Sequence, residues 1–222
     1  MFGGYGGAEP TTVNATDITF EDLHLNGCTD LNSIVRGSRL GVWLENIDIS
    51  SFNISDVERI GELFPNSLQD LRSIGNIAYW DTSSLRELGV ILYPSKYIDS
   101  LDLSGWTTPE LRSVGQVFPN GRILDISNWD TSKISSFNLG IRPRTEVGVL
   151  YPAYLIMDKE EVKFSGNYIF NNIANCKYLV PPTVLDDYKQ HPNWQSRASQ
   201  IDDITKYTIN RGGGQIFITP NI

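Results

Sequence analysis

Apolar residues recur along the middle of the chain at intervals of 28, 26 and 23 residues. The positions that mark the repeat are aromatic, namely Phe52, Trp80, Trp106 and Trp129. Five residues after each aromatic comes an aliphatic residue, in turn Val57, Leu85, Leu111 and Ile134. A glycine and then a proline follow at similar offsets in most copies. Because apolar, glycine and proline positions recur together, we predict that the aromatics and Leu85, Leu111 and Ile134 form a buried repeat core.

Each copy opens with alternating apolar residues, such as Leu101 and Leu103, which is typical of a short strand with one buried face. Thr or Ser follows, with apolar residues three apart, which favours a tight turn into a short helical or 3₁₀ segment that Gly and Pro then close. One copy cannot bury its own apolar face, whereas stacked copies can. We therefore predict an α/β repeat fold: a leucine-rich-repeat solenoid with short parallel strands and a C-terminal β-rich cap.

The pattern divides the chain into three predicted domains. Residues 1–16 form a Gly-rich N-terminal arm, residues 17–145 the solenoid, and residues 146–222 a C-terminal cap with strands and a short helix. The arm carries Phe2 and Tyr5 between glycines, and aromatics on a flexible tether suit an anchor. We expect these two residues to bind a partner protein; the alternative is that the arm docks against the body of its own chain.

The charge balance narrows the choice of partner. The chain has 26 acidic and 18 basic residues and a net charge of -8, with no basic cluster. Binding to nucleic acids or to anionic membrane surfaces needs a basic face, so we expect neither as a partner. No stretch approaches the ~20 apolar residues that span a bilayer, so we expect no membrane insertion. The two cysteines, Cys28 and Cys176, lack metal-site spacing, and we interpret both as small buried hydrophobes.

The search for chemistry yields no catalytic, cofactor-binding or metal-binding residues. The two histidines, His24 and His191, lie at no metal-ligand spacing. The triplets that begin at Asp81 and Asp130 occupy equivalent repeat positions, so they are interpreted as turns or caps. Three further aspartates, Asp48, Asp102 and Asp125, also occupy equivalent repeat positions. Two interpretations stay open for them: a row of calcium sites, or a solvated face with hydrogen bonds to the adjacent copy. We expect no enzyme and no cofactor, although an acidic pair that hydrolyses a surface polysaccharide is a third hypothesis.

Two repeat segments resemble a known family. LDLSGWTTPELRSVGQVF from Leu101 and LDISNWDTSKISSF from Leu124 are similar to repeats of BspA-type bacterial leucine-rich-repeat surface proteins. The segment LVPPTVLDDYKQHPNWQSRASQI resembles the closing motif of such proteins. The resemblance implies the solenoid fold and a role in adhesion or binding, with no shared active site.

The first residues show neither the basic start nor the apolar run of an export signal, so we expect a protein that is not exported, unlike the proteins it resembles. We therefore expect a virion component of a tailed bacteriophage, assembled in the bacterial cytoplasm, in the capsid, tail or fibre. Its partners would be other protein subunits of a large assembly, and a bacterial surface protein or glycan is a further expected partner. The alternative is a bacterial cell-surface adhesin that binds a host protein or glycan.

Overall fold

A computed structural model describes most of the chain. The described residues are 17–20, 25, 27–33, 44–64, 68–159, 175–192 and 194–221. The predicted partner-binding residues Phe2 and Tyr5, with the rest of the predicted arm, lie outside them, as does His24. The predictions on those residues therefore stay predictions.

The described residues form short strands. In chain order they are β1 (Asp17–Thr19), β2 (Asp30–Leu31), β3 (Asn46–Asp48), β4 (Arg59–Ile60), β5 (Glu87–Leu88), β6 (Ser100–Asp102), β7 (Ser113–Val114), β8 (Ile123–Asp125), β9 (Ser136–Phe137), β10 (Arg144–Glu146), β11 (Val149–Tyr151), β12 (Ala153–Ile156), β13 (Cys176–Val180), β14 (Ile201–Asp203), β15 (Tyr207–Gly212) and β16 (Gln215–Pro220). One α-helix, α1, spans Leu185–Gln190. Short 3₁₀ turns cover Ile77–Tyr79, Pro182–Val184, Gln195–Gln200 and Ile204–Lys206.

The strands divide among five sheets. Two sheets have five strands, all parallel, in the orders β2-β4-β5-β7-β9 and β14-β13-β12-β8-β6. The other three are pairs: β1 with β3, β10 with β11, and β15 with β16. The last two pairs are antiparallel hairpins.

The predicted fold class, an α/β leucine-rich-repeat solenoid, is wrong. Between residues 17 and 145 the described chain contains no α-helix, and its only helical element is the 3₁₀ turn Ile77–Tyr79. The segments after each aromatic, predicted to be short helical or 3₁₀ segments, instead run into two-residue strands such as β5 and β7. These strands lie in several small sheets that are not joined into one repeat, so the fold is mostly β. The helical expectation failed because apolar residues three apart also suit a turn followed by a short strand.

The hairpin β15–β16 shows why the sheets remain separate. The backbone N–H of Asp102 in β6 donates to the carbonyl of Gly214, in the hairpin turn, over 3.3 Å. Gly214 also lies against the previous segment, because a Cβ added there would be 2.8 Å from the carbonyl oxygen of Gly75. The turn therefore occupies the place where a strand neighbour of β6 would lie, and β1–β3 forms a sheet of its own.

Strands from the C-terminal part of the chain extend one of the two five-stranded sheets. Strand β12 pairs in parallel with β8, and β13 and β14 extend the same sheet. Helix α1 follows the turn Pro182–Val184 and buries Tyr188. Under this sheet lies a large apolar core that reaches from Leu31 to Ile201. No helix in the described part of the chain has the length and apolar character needed to cross a bilayer.

Candidate binding surface

The predicted repeat-core aromatics lie side by side in the interior. The ring centroids of Phe52 and Trp80 are 6.3 Å apart, and both steps from Trp80 to Trp106 and from Trp106 to Trp129 measure 6.1 Å. The rings are nearly parallel in each step, and all four side chains are buried. Buried with them are the three predicted aliphatic residues, Leu85, Leu111 and Ile134. These residues pack against each other inside the protein and are not available to a partner.

Each tryptophan of the stack also makes a polar contact. The indole Nε1 of Trp80 donates to the carbonyl of Ile49, that of Trp106 to Ile77, and that of Trp129 to Leu103. The three hydrogen bonds measure 3.1, 2.7 and 3.2 Å. A buried indole N–H needs such an acceptor, and here it also ties one segment to the preceding one.

The aspartates that recur once per copy close turns. The Oδ1 atom of Asp102 accepts a 3.0 Å hydrogen bond from the backbone N–H of Ser104, and Asp125 does the same with Ser127. Asp48 accepts at 2.9 Å from Ser50. A side chain that caps its own turn in this way needs no cation.

The solvated face expected for these aspartates is wrong for two of them. Asp102 is 6% exposed and Asp125 is not exposed, because the C-terminal hairpin covers them. The row of calcium sites gains no support either. Among the described residues, no three His, Cys, Asp or Glu side chains come together in a group that could hold a metal ion.

The Asp-Thr-Ser triplets have the turn role that the sequence predicts. Asp81 accepts a 3.0 Å hydrogen bond from the backbone N–H of Ser83, and Asp130 accepts one from Ser132. Hydrogen bonds from Ser83 lower the pKa of Asp81, against the opposing effect of partial burial. The hydroxyl of Thr82 donates to the carbonyl of Thr107 over 2.7 Å. The acidic and hydroxyl groups of these triplets thus hold the backbone.

The outer side of sheet β2-β4-β5-β7-β9 carries a set of charged side chains, which we call the charged face. Its members are Asp30, Glu58, Arg59, Arg86, Glu87, Glu110, Arg112 and Lys133. The inward residue of each strand, such as Ile60 or Leu88, is buried and fixes the outward direction of its neighbour. Because the strands pair in register, Asp30, Arg59 and Glu87 stand side by side in one row across β2, β4 and β5. The other five members lie in the segments just before strands.

Ion pairs connect the charged face. Arg59 lies between two carboxylates, with its Nη1 atom 3.0 Å from Asp30 Oδ2 and its Nε atom 3.3 Å from Glu87 Oε2. Glu110 in turn receives Lys133, whose Nζ atom lies 2.7 Å from Oε1. The hydrogen bond and charge of Lys133 lower the pKa of Glu110. These ion pairs therefore restrict the positions of Arg59 and Lys133 while both side chains stay exposed to solvent.

The charged face is open to solvent. Its side chains are between 38% and 63% exposed. An open groove of about 360 Å³ runs along it and is lined by Thr29, Asp30, Glu58, Arg59, Arg86 and Glu87. The face has four acidic and four basic members and is neutral, although the chain carries a net charge of -8. It can form charge-assisted hydrogen bonds with a polar partner of either sign.

The other five-stranded sheet has no comparable open face. Its outer side carries Ile123, Tyr154, Ile156 and Leu179, which form a small apolar cluster with Ile216 of the hairpin β15–β16. The hairpin therefore occupies this side within the same chain.

The sequence prediction missed the charged face. Seven residues after the repeat aromatics come Arg59, Glu87 and two serines, and six residues after them come Glu58, Arg86 and Arg112. Opposite charges at equivalent repeat positions could have predicted the charged face, because parallel strands in register place such residues side by side. Both cysteines were predicted to be buried. Cys176 is buried, whereas Cys28 is only partly buried.

Comparison with known proteins identifies one related family. The family model described as "Mycoplasma protein of unknown function, DUF285" matches residues 29–144, just over half of the chain. The matched range contains the aromatic stack and every member of the charged face. No curated protein and no solved structure matches the chain.

Proposed function

The chain belongs to the DUF285 family, and from this premise we propose that it is a non-enzymatic binding module whose charged face docks on another protein. The observation that carries the proposal is the face itself. Three of its eight exposed charged side chains lie in strands above the buried core and the other five lie in the segments just before strands, and ion pairs join them, so they are ordered before a partner arrives. A surface of this kind supplies specificity through complementary charge.

The side chains that could suggest catalysis are occupied by structural contacts. Asp81, Asp102 and Asp125 accept hydrogen bonds from their own turns, and the tryptophan N–H groups bind backbone carbonyls. This supports a role in binding over the hydrolysis of a polysaccharide. In the proposed function the exposed charges select a partner and perform no chemistry.

The composition of the charged face favours a protein partner. Four carboxylates among the eight charges would repel a nucleic acid or another polyanion. Alternating signs, as in the row Asp30, Arg59 and Glu87, match a polypeptide surface that itself carries both signs. Exposed ion pairs can exchange their internal partner for an external one at small cost, because each is worth little in water.

We further propose the virion of a tailed bacteriophage as the setting, with the charged face joined to a neighbouring virion protein. The alternative setting is the bacterial cell surface, where the same face binds a host protein or glycan. The similarity to BspA-type repeats supports a bacterial or bacteriophage origin for the module. Mass spectrometry of purified virions and of cell-envelope fractions separates the two settings, because the chain would be abundant in one of them.

Charge reversal tests the binding role. The variant Arg59→Glu/Arg86→Glu places two further acidic groups on the face, and the control Lys96→Glu reverses an equally exposed charge elsewhere, one paired with Asp70. We expect the face variant, but not the control, to lose binding to virions or cell envelopes that lack the chain. Binding of the wild-type chain should also weaken with salt. Equal binding by both variants, with native circular dichroism spectra, would refute the proposed site.

A further inference from the structure

The C-terminal hairpin β15–β16 lies across the outer side of sheet β14-β13-β12-β8-β6 as a nearly independent layer. Only Ile216 of the hairpin is buried, and the other hairpin residues are partly or fully exposed. Ile216 packs into the small cluster on the outer side of the sheet, whereas the large core lies on the inner side. Because the two cores are separate, the hairpin can leave its face while the large core stays intact.

Both apolar packing and polar contacts hold the hairpin. Tyr207, Ile209 and Ile218 pack, partly buried, against the same small cluster as Ile216, and the rings of Tyr207 and Tyr154 lie edge to face with centroids 5.9 Å apart. The Nε atom of Arg211 donates to Asp125 Oδ2 over 2.8 Å, and the Nη2 atom lies 2.6 Å from the same oxygen. The backbone N–H of Ile216 donates to the Ser100 hydroxyl over 2.9 Å. Asp125 is fully buried under the hairpin, so the face has a specific receptor for one arginine.

The turn of the hairpin makes contacts that a strand of the sheet would otherwise make. The carbonyl of Gly214 accepts from the Asp102 N–H, and the Gln215 side chain donates to the carbonyl of Arg72 over 3.3 Å. The turn thus satisfies backbone groups on both sides of the gap between residues 72–75 and β6. A segment fits this gap if it makes these backbone hydrogen bonds and has a glycine at the position of Gly214, where a Cβ atom would crowd the Gly75 carbonyl.

We propose that this face is a docking site for the hairpin of a second copy of the chain, so that two copies join by exchanging residues 207–220. The occupant follows from the structure, because the hairpin of another copy makes the same contacts that this hairpin makes within its own chain. Within one chain the hairpin has the advantage of proximity. Exchange therefore requires the high local concentration of an assembly, and it acts independently of the charged face.

The experiment uses two full-length variants with reversed charges, Asp125→Arg and Arg211→Glu. In each variant alone, like charges face each other both within a chain and between identical copies. In a 1:1 mixture, exchange pairs opposite charges at both sites of a heterodimer. We expect each variant alone to be monomeric by light scattering, and the dimer fraction to rise about tenfold or more on mixing.

The matched control carries both substitutions in one chain. It restores an opposite pair within the molecule and should be monomeric, with native circular dichroism. A mixture that stays monomeric while both variants keep their tryptophan fluorescence overturns the proposal. A second variant decides the case if Asp125→Arg disrupts the turn that Asp125 makes with Ser127.

That second variant lacks Ile204–Lys206, the 3₁₀ turn that joins β14 to β15. Without the turn the hairpin cannot fold back onto its own sheet, but it can still reach a second copy. We expect a stable dimer. A monomeric product, in which residues 207–220 are rapidly cleaved by protease, shows that the face does not accept a hairpin from another molecule and overturns the proposal.

Discussion

The indole Nε1 of Trp106 donates a hydrogen bond of 2.7 Å to the backbone carbonyl of Ile77, which lies 29 residues earlier in the chain. The indole ring also lies 6.1 Å from the rings on either side, Trp80 and Trp129. One side chain therefore contributes stacking and a cross-segment hydrogen bond. This combination explains why tryptophan, rather than another large apolar residue, stands at this position in three of the four copies.

Replacing Trp106 should show both contributions. We expect Trp106→Phe to lower the free energy of unfolding by about 0.5–1.5 kcal/mol, since the Ile77 carbonyl loses one of two donors and keeps the backbone N–H of Trp80 at 3.2 Å. Trp106→Ala should cost about 3–5 kcal/mol through the additional cavity. Urea denaturation measures both values. The control Tyr79→Ala removes an aromatic that is 85% exposed and should change the free energy by less than about 0.5 kcal/mol.

A close backbone approach at Gly105 gives a second prediction. A Cβ atom added there would collide with the carbonyl oxygen of Ala78 in the neighbouring segment. We expect Gly105→Ala to lower the free energy of unfolding by about 1–3 kcal/mol, because the two segments must separate. Gly212→Ala is the matched control, since a Cβ at Gly212 meets no atom within 4 Å. Similar melting temperatures for the two variants would contradict the prediction.

The charged face should contribute to binding without contributing much to stability. Arg59 bridges Asp30 and Glu87, but its side chain is 54% exposed and water screens both pairs. We expect Arg59→Ala to change the free energy of unfolding by less than about 1 kcal/mol. Chemical denaturation at low and high salt checks this value. A loss of several kcal/mol would mean that the pairs hold the fold together and are not free to meet a partner.

The carboxylate of Asp202 should make stability depend on pH in the acid range. Burial raises its pKa, but hydrogen bonds from Lys206, Tyr207 and Lys177 and from a backbone N–H outweigh burial, so the pKa is lowered. A lowered folded-state pKa stabilises the protein above the unfolded value of about 3.9, and this contribution is lost as pH falls through the folded value. We expect Asp202→Asn to destabilise the protein at pH 7 and much less near pH 2.

Denaturation of the wild-type chain and the Asp202→Asn variant at several pH values tests this expectation. The difference in unfolding free energy should stay constant between about pH 5 and 7 and shrink below about pH 4. The variant Asp186→Asn changes an acidic side chain on the first turn of α1 and provides the control for a general loss of negative charge. A difference that does not vary with pH would show that Asp202 acts through packing alone.

The two thiols should differ in reactivity. Burial raises the pKa of Cys176 to about 12, so its reactive thiolate is scarce at neutral pH. Cys28 is only partly buried. Iodoacetamide at pH 8 should therefore modify one thiol of the native chain, identified as Cys28 by peptide mass spectrometry, and both thiols in urea. Modification of Cys176 in the native state at the rate of Cys28 would contradict its burial.

The charged face shows how far the sequence could have predicted the candidate site. Five of its eight residues lie six or seven positions after an aromatic, namely Glu58, Arg59, Arg86, Glu87 and Arg112, so their shared face follows from the repeat once the strands are known. The strands themselves were predicted as helical turns, because the spacing of apolar residues over so few positions suits both structures. Arg59 and Glu87 could therefore be assigned to adjacent strands only from their pairing.

The sequence by itself determined which residues build the core: the period of the aromatics specifies Phe52, Trp80, Trp106 and Trp129, since each copy must hide the same side. Only the tertiary structure decided how the strands divide among sheets and which faces stay open. Arg211 meets Asp125 across 86 residues, and no local pattern encodes that contact. The spacing of apolar residues shows which side of a segment faces the core. It does not show which distant segment packs on the opposite side, because that depends on the path of the whole chain.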